Sequence, residues 1–352
     1  MRAAVVEGQG RLGIKEVKDP VLLNNSILIE VRACAICGSD LRIVYGIDRR
    51  ARFPMIIGHE MAGIVKQVGE KVDSFSKGDK VTVAPGVSCG KCSMCKRGVK
   101  NLCENMISIG YSHPGGFAQY MVPPSLALAE GFVNKIPNNL SFDKATLAEL
   151  LACCINGQEI LQVTSDDTVA VIGAGPAGCM HVELCYTKGC KKIILIQRSQ
   201  PRLDIARERF HAHVYVDSSR EDATEIVLEE TGGFGVDVVI VAAPSGEAQK
   251  QALEMVSKRG RVSFFGGLPH ERSEVNIDTN LIHYKECFVV GASSSTGEQN
   301  REALSILSQG RIKAEEFITD VFALDRIEEA FQTAKAKRGL RVLVKPWRKE
   351  DG

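Results

Sequence analysis

Short apolar runs separated by turn residues fill the first third of the chain. Alternating and β-branched apolar positions predict strands over residues 2–7, 27–33, 63–68 and 80–83, with glycines between several of them. Frequent turns between short strands are typical of an antiparallel, barrel-like β domain. We therefore expect a β-rich domain over residues 1–150.

Residues 141–162 have the pattern of a helix. Ser141 is suited to the N-cap, and an apolar run follows through Leu147 and Leu151. Glu149 lies among these apolar neighbours, where an unpaired carboxylate would be costly. Glu149 therefore either lies on a solvated helix face or has a partner for its charge.

From residue 168 the pattern changes to strands that alternate with helices. The apolar strand 168–172 is followed by a glycine-rich turn and then by a helical segment, the context that a dinucleotide-binding turn requires. Its first glycine makes the turn, the second lets the backbone approach a pyrophosphate, and the third lets the helix pack closely. The helix N-terminus attracts the negative charge. The turn consists of Gly173, Gly175, Pro176, Ala177 and Gly178 with Ala174 between the first two glycines.

The remaining elements of this region continue the alternation. The pattern predicts strands over residues 192–197, 213–216, 236–242, 261–266 and 287–290, and helices that include 201–210 and 247–258. Such an alternation predicts an α/β fold with a doubly wound parallel sheet of the Rossmann type over residues 151–291. Residues 292–352 return to mixed structure, with helices expected over 299–309 and 324–335.

Composition narrows the classes of function. The 352 residues are enough for two domains, and a net charge of +1 gives no basic surface for nucleic acid and no polybasic membrane patch. No run of 18 uncharged apolar residues and no signal-peptide layout is present. The 12 cysteines therefore indicate thiols and metal ligands rather than disulfides, and we expect a cytoplasmic protein without a membrane partner.

A short segment near the start combines donors that a catalytic zinc ion prefers. Cys37, Ser39, His59 and Glu60 supply a thiol, a hydroxyl, an imidazole and a carboxylate. Three such ligands leave a fourth position for water or substrate. The alternative is that Cys37 is a small buried apolar residue and His59 a hydrogen-bonded core histidine.

Four further cysteines form a second pattern, in a lobe spanning residues 86–106. Cys89, Cys92, Cys95 and Cys103 are spaced for one metal, in a segment with too little apolar material to fold by burial. A closed tetrathiolate zinc site would hold such a lobe together. An iron–sulfur cluster is the alternative, but no proline follows the fourth cysteine and basic residues are interleaved.

Four segments together resemble the zinc-dependent medium-chain alcohol dehydrogenases, on the branch with sorbitol (polyol) and threonine dehydrogenases. These segments are residues 37–40, residues 58–60, the four-cysteine lobe, and residues 115–120 (Gly-Gly-Phe-Ala-Gln-Tyr), and they run in the order of that family. The resemblance covers essentially the whole chain. It implies a GroES-like β domain that carries two zinc ions, one catalytic and one structural, and a tail that rejoins this domain.

The resemblance also implies roles at the catalytic zinc. Cys37, His59 and Glu149 would bind the ion, Glu60 would be an adjacent acid that alternates with water or substrate, and Ser39 would accept the alcohol proton. Many relatives carry a relay histidine three residues beyond the serine, where this chain has Arg42. Arginine does not act as a base at accessible pH. The proton would leave through water, a ribose hydroxyl or Asp40.

Arginines are also concentrated just beyond this point. Arg42, Arg49, Arg50 and Arg52 would either bind an anionic group of a substrate or form a solvated loop.

The end of the second strand of the nucleotide domain indicates which cofactor binds. NAD sites usually have an acidic residue there, but this chain has the neutral Gln197, followed by Arg198, Ser199 and, further on, Arg202. This run resembles that of NADP-preferring relatives and favours NADP(H), although Gln197 could also bind the bare ribose of NAD(H). We expect a zinc-dependent dehydrogenase of a secondary alcohol, a polyol, sugar alcohol or cyclitol, that forms a homodimer or homotetramer.

Three alternatives remain. One is an NAD-dependent dehydrogenase of simple secondary alcohols or of L-threonine. A structural zinc protein would need the four cysteines but not Glu149, Ser39 or the glycine turn. A zinc-independent quinone reductase would need the glycine turn but neither the cysteine lobe nor the pair Cys37 and His59.

Overall fold

A computed structural model describes residues 1–46, 48 and 50–347, and the chain divides into two compact units. The first unit combines Met1–Ala152 with the C-terminal segment from Ser294 onward, and the second is Cys153–Ser293. In the described part of the chain, no helix is both long and apolar enough to cross a membrane.

The strands, numbered along the chain, alternate with helices most regularly in the second unit. They are β1 (Arg2–Gly8), β2 (Arg11–Glu16), β3 (Ile27–Ala35), β4 (Met55–Ile56), β5 (Glu60–Val68), β6 (Lys80–Val83), β7 (Gly86–Val87), β8 (Ile107–Ser108), β9 (Tyr120–Met121), β10 (Val133–Lys135), β11 (Thr168–Ile172), β12 (Lys192–Gln197), β13 (Val214–Asp217), β14 (Val236–Val241), β15 (Val256–Phe264), β16 (Phe288–Gly291), β17 (Ile318–Ala323) and β18 (Arg341–Lys345).

The α-helices are numbered in the same way. They are α1 (Gly38–Tyr45), α2 (Ser93–Lys96), α3 (Ser125–Ala129), α4 (Phe142–Ala145), α5 (Ala148–Ile160), α6 (Pro176–Lys188), α7 (Gln200–Arg209), α8 (Ala223–Glu229), α9 (Gly246–Met255), α10 (Thr279–Lys285), α11 (Gly297–Ser308) and α12 (Ile327–Ala336).

The first unit is built on a mainly antiparallel sheet. Its strand order is β10-β6-β5-β3-β18-β17, with β9 also paired to β3, and a smaller sheet has the order β2-β1-β4. The C-terminal strand β18 pairs with β3 through Leu343 opposite Ala35 and Val344 opposite Cys34. The core contains the fully buried Phe117 and Phe331 of α12, whose rings meet edge to face at 5.7 Å. Strands β17 and β18 near the end of the chain therefore complete the sheet whose strand β3 leads into Cys37.

The second unit is a six-stranded sheet with the order β13-β12-β11-β14-β15-β16, and all its pairs are parallel. This order reverses direction between β11 and β14, the position where nucleotides bind in open α/β sheets. The glycine turn follows β11 directly. The α/β fold class, with a GroES-like domain and a Rossmann sheet, is confirmed.

Two glycines explain the shape of this turn. Gly173 has a φ of +111°, which L side chains rarely adopt. A Cβ on Gly178 would lie 1.7 Å from the carbonyl oxygen of Gly173. Only glycine therefore allows α6 to start this close to the end of β11.

The single helix predicted over residues 141–162 is wrong, because the chain forms α4 and α5 with a break at Thr146 and Leu147. Ser141 caps α4 as expected, since its hydroxyl accepts from the backbone N–H of Lys144 at 3.3 Å. Thr146 donates its hydroxyl hydrogen to the Asp143 carbonyl at 2.7 Å, and such local bonds compete with the helical ladder. The helix predicted over residues 247–258 also ends early, because Val256 already pairs with Val236 in the sheet.

Candidate metal centres and active site

Strand pairing brings the first set of donors together. Cys37 lies just after β3, and Glu60 begins β5, directly opposite Ala35 of β3. His59 immediately precedes Glu60. As a result, one donor atom from each of Cys37, His59 and Glu60 lies within 4.8 Å of the others.

The chemistry of this group fits a zinc ion. Sulfur, imidazole nitrogen and carboxylate oxygen are the donors of catalytic zinc sites, which keep one position open. Glu60 Oε2 is buried and has no hydrogen-bond partner, a position that is costly for a carboxylate unless a cation binds it. Burial raises the pKa of the Cys37 thiol, but the hydrogen bond and charge of His59 lower it more, to about 6. The thiolate form of Cys37, which is the form that binds zinc, is therefore accessible at neutral pH.

Asp40 orients the histidine. Its side chain is fully buried, Oδ2 accepts from the Cys37 backbone N–H at 2.9 Å, and Oδ1 lies 3.3 Å from His59 Nδ1. The other ring nitrogen, Nε2, lies 3.3 Å from Ser39 Oγ. A carboxylate behind a ligating imidazole fixes the ring and its tautomer. This burial favours an orienting role for Asp40 over a route for protons to solvent.

The two glutamates differ in position. Glu60 is fully buried and belongs to the compact donor group, whereas Glu149, in the first turn of α5, is half-buried and lies outside that group. Glu149 is nevertheless near, because its negative charge adds to burial in raising the pKa of Glu60. Burial and the neighbouring negative charges thus make an ionised Glu60 costly unless a cation balances it.

Sequence reasoning missed Arg341, the first residue of β18. Its Nη2 donates to Glu60 Oε1 at 2.6 Å and its Nη1 to the Ile36 carbonyl at 3.1 Å. Arg341 is 2% exposed, and 281 residues separate it from Glu60 along the chain. The signal that could have revealed it is an arginine inside an apolar strand pattern, since an arginine in such a position needs an acidic partner.

The four-cysteine lobe forms a second donor group. The sulfur atoms of Cys89, Cys92, Cys95 and Cys103 all lie within 4.8 Å of one another, and none of the cysteines in the described residues is in a disulfide. The Sγ of Cys92 is 3.4 Å from that of Cys95 and 3.8 Å from that of Cys103. A tetrahedral site with zinc–sulfur bonds of about 2.3 Å requires sulfur separations of about 3.8 Å.

Backbone groups favour thiolates in this lobe. The N–H groups of Cys89 and Asn105 donate to Cys103 Sγ at 3.2 and 3.3 Å, and they offset part of the burial that raises the pKa of this thiol to about 12. The N–H groups of Lys91 and Cys92 lower the pKa of Cys89 to about 6. The donor set, its spacing and these hydrogen bonds fit a closed structural zinc site.

The residues predicted to bind the adenosine part of the cofactor lie near the glycine turn of the second unit. Gln197 ends β12, and its Oε1 accepts from the Ala174 backbone N–H at 3.3 Å within the glycine turn. Arg198 and Ser199 are exposed just beyond it. An added Cβ on Gly175 would lie 3.2 Å from Nη1 of the half-buried Arg202, so this guanidinium lies beside the turn.

The described arginines near Arg42 differ in exposure and in partners. Arg42 and Arg52 are exposed, and Arg49 lies outside the described residues. Arg50 pairs with Asp48 at 2.7 Å, and its guanidinium lies 4.7 Å from the centre of the Tyr111 ring. Tyr111 in turn lies against His59, with ring centres 5.9 Å apart. Tyr111 was not predicted, because nothing in its local pattern marks it.

The fold and the two donor groups define a zinc-binding dehydrogenase, and comparison with known proteins agrees. The alcohol dehydrogenase GroES-like domain family matches residues 24–132, and the zinc-binding dehydrogenase family matches residues 176–309. The chain is 30% identical to sorbitol dehydrogenase of Bacillus subtilis (strain 168), over 98% of this chain and 97% of that one. It is 29% identical to L-threonine 3-dehydrogenase of Yersinia pestis (strain Pestoides F), over 94% of each.

Solved structures give the same result. A Sinorhizobium meliloti 1021 protein, described as a candidate zinc-binding dehydrogenase bound to NADP, is 31% identical, with a TM-score of 0.90 over 98% of this chain and 99% of that one. An Escherichia coli CFT073 alcohol dehydrogenase complexed with NADH is 30% identical, with a TM-score of 0.88 over the same shares. The chain belongs to the zinc-dependent medium-chain dehydrogenase family, on its sorbitol and threonine dehydrogenase branch, and is an enzyme of that class.

The position of Asp40 generates a prediction about metal binding. Asp40→Asn should lower the affinity of the Cys37 site for zinc by about 10–100-fold, because the neutral amide no longer fixes the His59 ring as a carboxylate does. Zinc release to a chelator, followed by a colorimetric indicator, measures this. Asp325→Asn, which alters an exposed partner of Arg2 in the same unit, is the control and should release zinc as the wild type does. Equal release from both variants would show that Asp40 does not support the site.

Proposed function

We propose that the enzyme interconverts a secondary alcohol, of the polyol, sugar alcohol or cyclitol class, and its ketone by hydride transfer to or from NADP(H). The observation that carries this proposal is the compact group of the half-buried Cys37 and the buried His59 and Glu60, in a chain that also has a dinucleotide-binding glycine turn. Oxidation of an alcohol needs both parts, since a proton leaves the hydroxyl and a hydride leaves the carbon.

The residues around Cys37 would have different roles in the reaction. When bound, zinc acts as a Lewis acid that lowers the pKa of the substrate hydroxyl. Cys37 and His59 would hold the ion together with Glu149 or Glu60. Ser39 is 8% exposed and lies beside His59, and it would accept the hydroxyl proton and pass it toward water or a ribose hydroxyl. Arg42, exposed on α1, would take no part in this transfer.

The substrate class rests on the relatives. Sorbitol carries several secondary hydroxyl groups, and threonine carries one, so the branch acts on polar secondary alcohols. Simple secondary alcohols and L-threonine with NAD are the second candidate, because the threonine relatives match almost as well.

A substrate panel tests the proposal. With NADP, the purified enzyme should oxidise at least one of sorbitol, xylitol, galactitol or an inositol with a kcat/KM at least about tenfold above that for 2-butanol, a difference of about 1.4 kcal/mol. Absorbance of the reduced nicotinamide gives the rate. Efficient turnover of 2-butanol, butanediol or L-threonine alone would contradict the polyol assignment.

The preference for NADP(H) rests on the end of β12. A carboxylate there would repel a 2′-phosphate, whereas the amide of Gln197, the hydroxyl of Ser199 and two guanidinium groups would bind it. Arg198 is exposed and free to turn toward a phosphate, and Arg202 lies against the glycine turn. One solved relative holds NADP and another NADH, so relatives of similar identity differ in the cofactor they bind.

Substitution of Arg198 tests this preference. Arg198→Ala should raise the KM for NADPH by about tenfold or more and leave the KM for NADH nearly unchanged, because a charge-assisted hydrogen bond is worth about 1.5–3 kcal/mol. Lys258→Ala, which removes an exposed cation near the amino end of β15, is the control. An equal effect of Arg198→Ala on both cofactors would overturn the assignment.

We also propose that the enzyme is a homodimer or homotetramer. The edge strand β16 supports this, because Phe288 is 59% exposed there and Tyr284 of α10 is 74% exposed. An exposed apolar edge strand is a ready surface for pairing. Sedimentation velocity should give a mass at least twice that of the 38.3 kDa chain, and Phe288→Lys should lower it. A wild-type monomer at micromolar concentration would contradict the proposal.

A further inference from the structure

Two thiols face each other where α6 ends. The helix is followed by Gly189, whose φ of +77° lies in the left-handed region. The N–H of Cys190 donates to the carbonyl of Cys185 at 3.1 Å, and the N–H of Gly189 donates to the carbonyl of Tyr186 at 2.9 Å. In this helix-ending motif, the residue after the glycine packs against the helix residue five positions earlier. Cysteines occupy both positions here, so a contact that is usually apolar joins two thiols.

Neighbouring groups hold both sulfur atoms in place. The side-chain amide of Gln158, on α5, donates to Cys185 Sγ at 3.2 Å, and Cys190 Sγ donates to the carbonyl of Thr164 at 3.3 Å. The two thiols also hydrogen-bond to each other. Cys185 is 0% exposed and Cys190 is 5% exposed, so solvent reaches the pair through Cys190. The pair is therefore already in contact before any reaction.

The two thiols differ in acidity. The hydrogen bond from Cys185 lowers the pKa of the Cys190 thiol, and the charge of Lys188 lowers it further, whereas burial opposes both. The hydrogen bond to Cys190 and burial raise the pKa of Cys185 well above its usual range. The thiolate, not the thiol, is the nucleophile in cysteine chemistry. Cys190 is thus the residue of the pair that reacts first.

Cys179, on the same helix, shows the contrast. It is 0% exposed, and burial raises its pKa to about 12. A cysteine that is buried and stays protonated is inert toward oxidants. Cys179 is therefore an internal comparison for the reactivity of Cys190.

We propose that Cys185 and Cys190 form an oxidation site, at which a hydroperoxide converts the two thiols into a disulfide. With hydrogen peroxide, the Cys190 thiolate attacks one oxygen, the O–O bond breaks, and a sulfenic acid and hydroxide form. The hydroxide takes up the proton that Cys190 had released and leaves as water. The Cys185 thiol then attacks the sulfenic sulfur, an S–S bond forms, the S–O bond breaks and a second water leaves.

Two electrons thus pass from the sulfur pair to the peroxide. The disulfide would fix the C-terminal end of the helix whose N-terminal end carries the glycine turn. The pair takes no part in the proposed hydride transfer, so this site is independent of the proposed function.

Peptide mapping of the purified full-length enzyme tests this without reliance on turnover. The reduced protein is treated with a small excess of hydrogen peroxide, and its remaining thiols are blocked with N-ethylmaleimide in denaturant. Trypsin cleaves the chain after Lys188, between the two cysteines, so a disulfide joins two tryptic peptides that a reductant separates. We expect these linked peptides in the wild type, with a loss of two free thiols per chain and with Cys179 blocked by N-ethylmaleimide.

Variants test the order of the steps. In Cys185→Ser the linked peptides should be absent, and the sulfenic acid that stays on Cys190 should react with dimedone. In Cys190→Ser, dimedone should not label Cys185, because that thiol is buried and protonated. Cys179→Ser removes another thiol of α6 and should form the linked peptides as the wild type does. If Cys185→Ser does not fold, Cys185→Ala, which adds no hydroxyl, carries the same comparison.

Two results would contradict the inference. One is the absence of linked peptides from the oxidised wild type while other cysteines lose their free thiols. The other is dimedone labelling of Cys185 in Cys190→Ser that equals the labelling of Cys190 in Cys185→Ser. Because the linked peptides report on the cysteine pair alone, a failure of the proposed zinc sites would leave this test unchanged.

Discussion

The concentration of negative charge around Cys37 is the constraint on which the active-site region depends. A thiolate, the fully buried Glu60 and the nearby Glu149 cannot share one place in the protein interior without compensating cations. Arg341 supplies one positive charge through a fixed contact, and a divalent metal would supply the rest. The strand order β5-β3-β18 brings these groups together, so the fold itself determines which charges must be balanced.

The two donor groups suit a metal ion in different roles. The lobe around Cys92 has four sulfur donors and no open position, and few apolar side chains are buried there. Metal coordination can replace a hydrophobic core in such a segment. The group at Cys37 has fewer protein donors and more charged neighbours, which suits an exchangeable ligand. With two zinc ions bound, as we propose, one chain would contain a closed site for stability and an open site for chemistry.

Much of the fold was predictable, because its signals are local. The glycine turn, the four-cysteine pattern and the strand periodicity are each formed by residues that are close together in the sequence. The predicted bounds failed where local hydrogen bonds compete with a helix, as at Thr146, or where strand pairing begins early, as at Val256. The pattern of β18 could have marked Arg341 as an arginine that needs an acidic partner, but it could not identify that partner, since Glu60 is 281 residues away and only the pairing of β18 with β3 brings them together. The contact of Tyr111 with His59 has the same origin in tertiary packing.

Metal content tests the account most directly. We expect two zinc ions per chain by elemental analysis of the purified wild type. Cys37→Ser should lose one of them and all turnover but keep its circular dichroism spectrum, because that site binds substrate and does not hold the fold together. Cys92→Ser should lose the other and lower the melting temperature. One zinc per chain in the wild type, or iron with visible absorbance, would contradict the account.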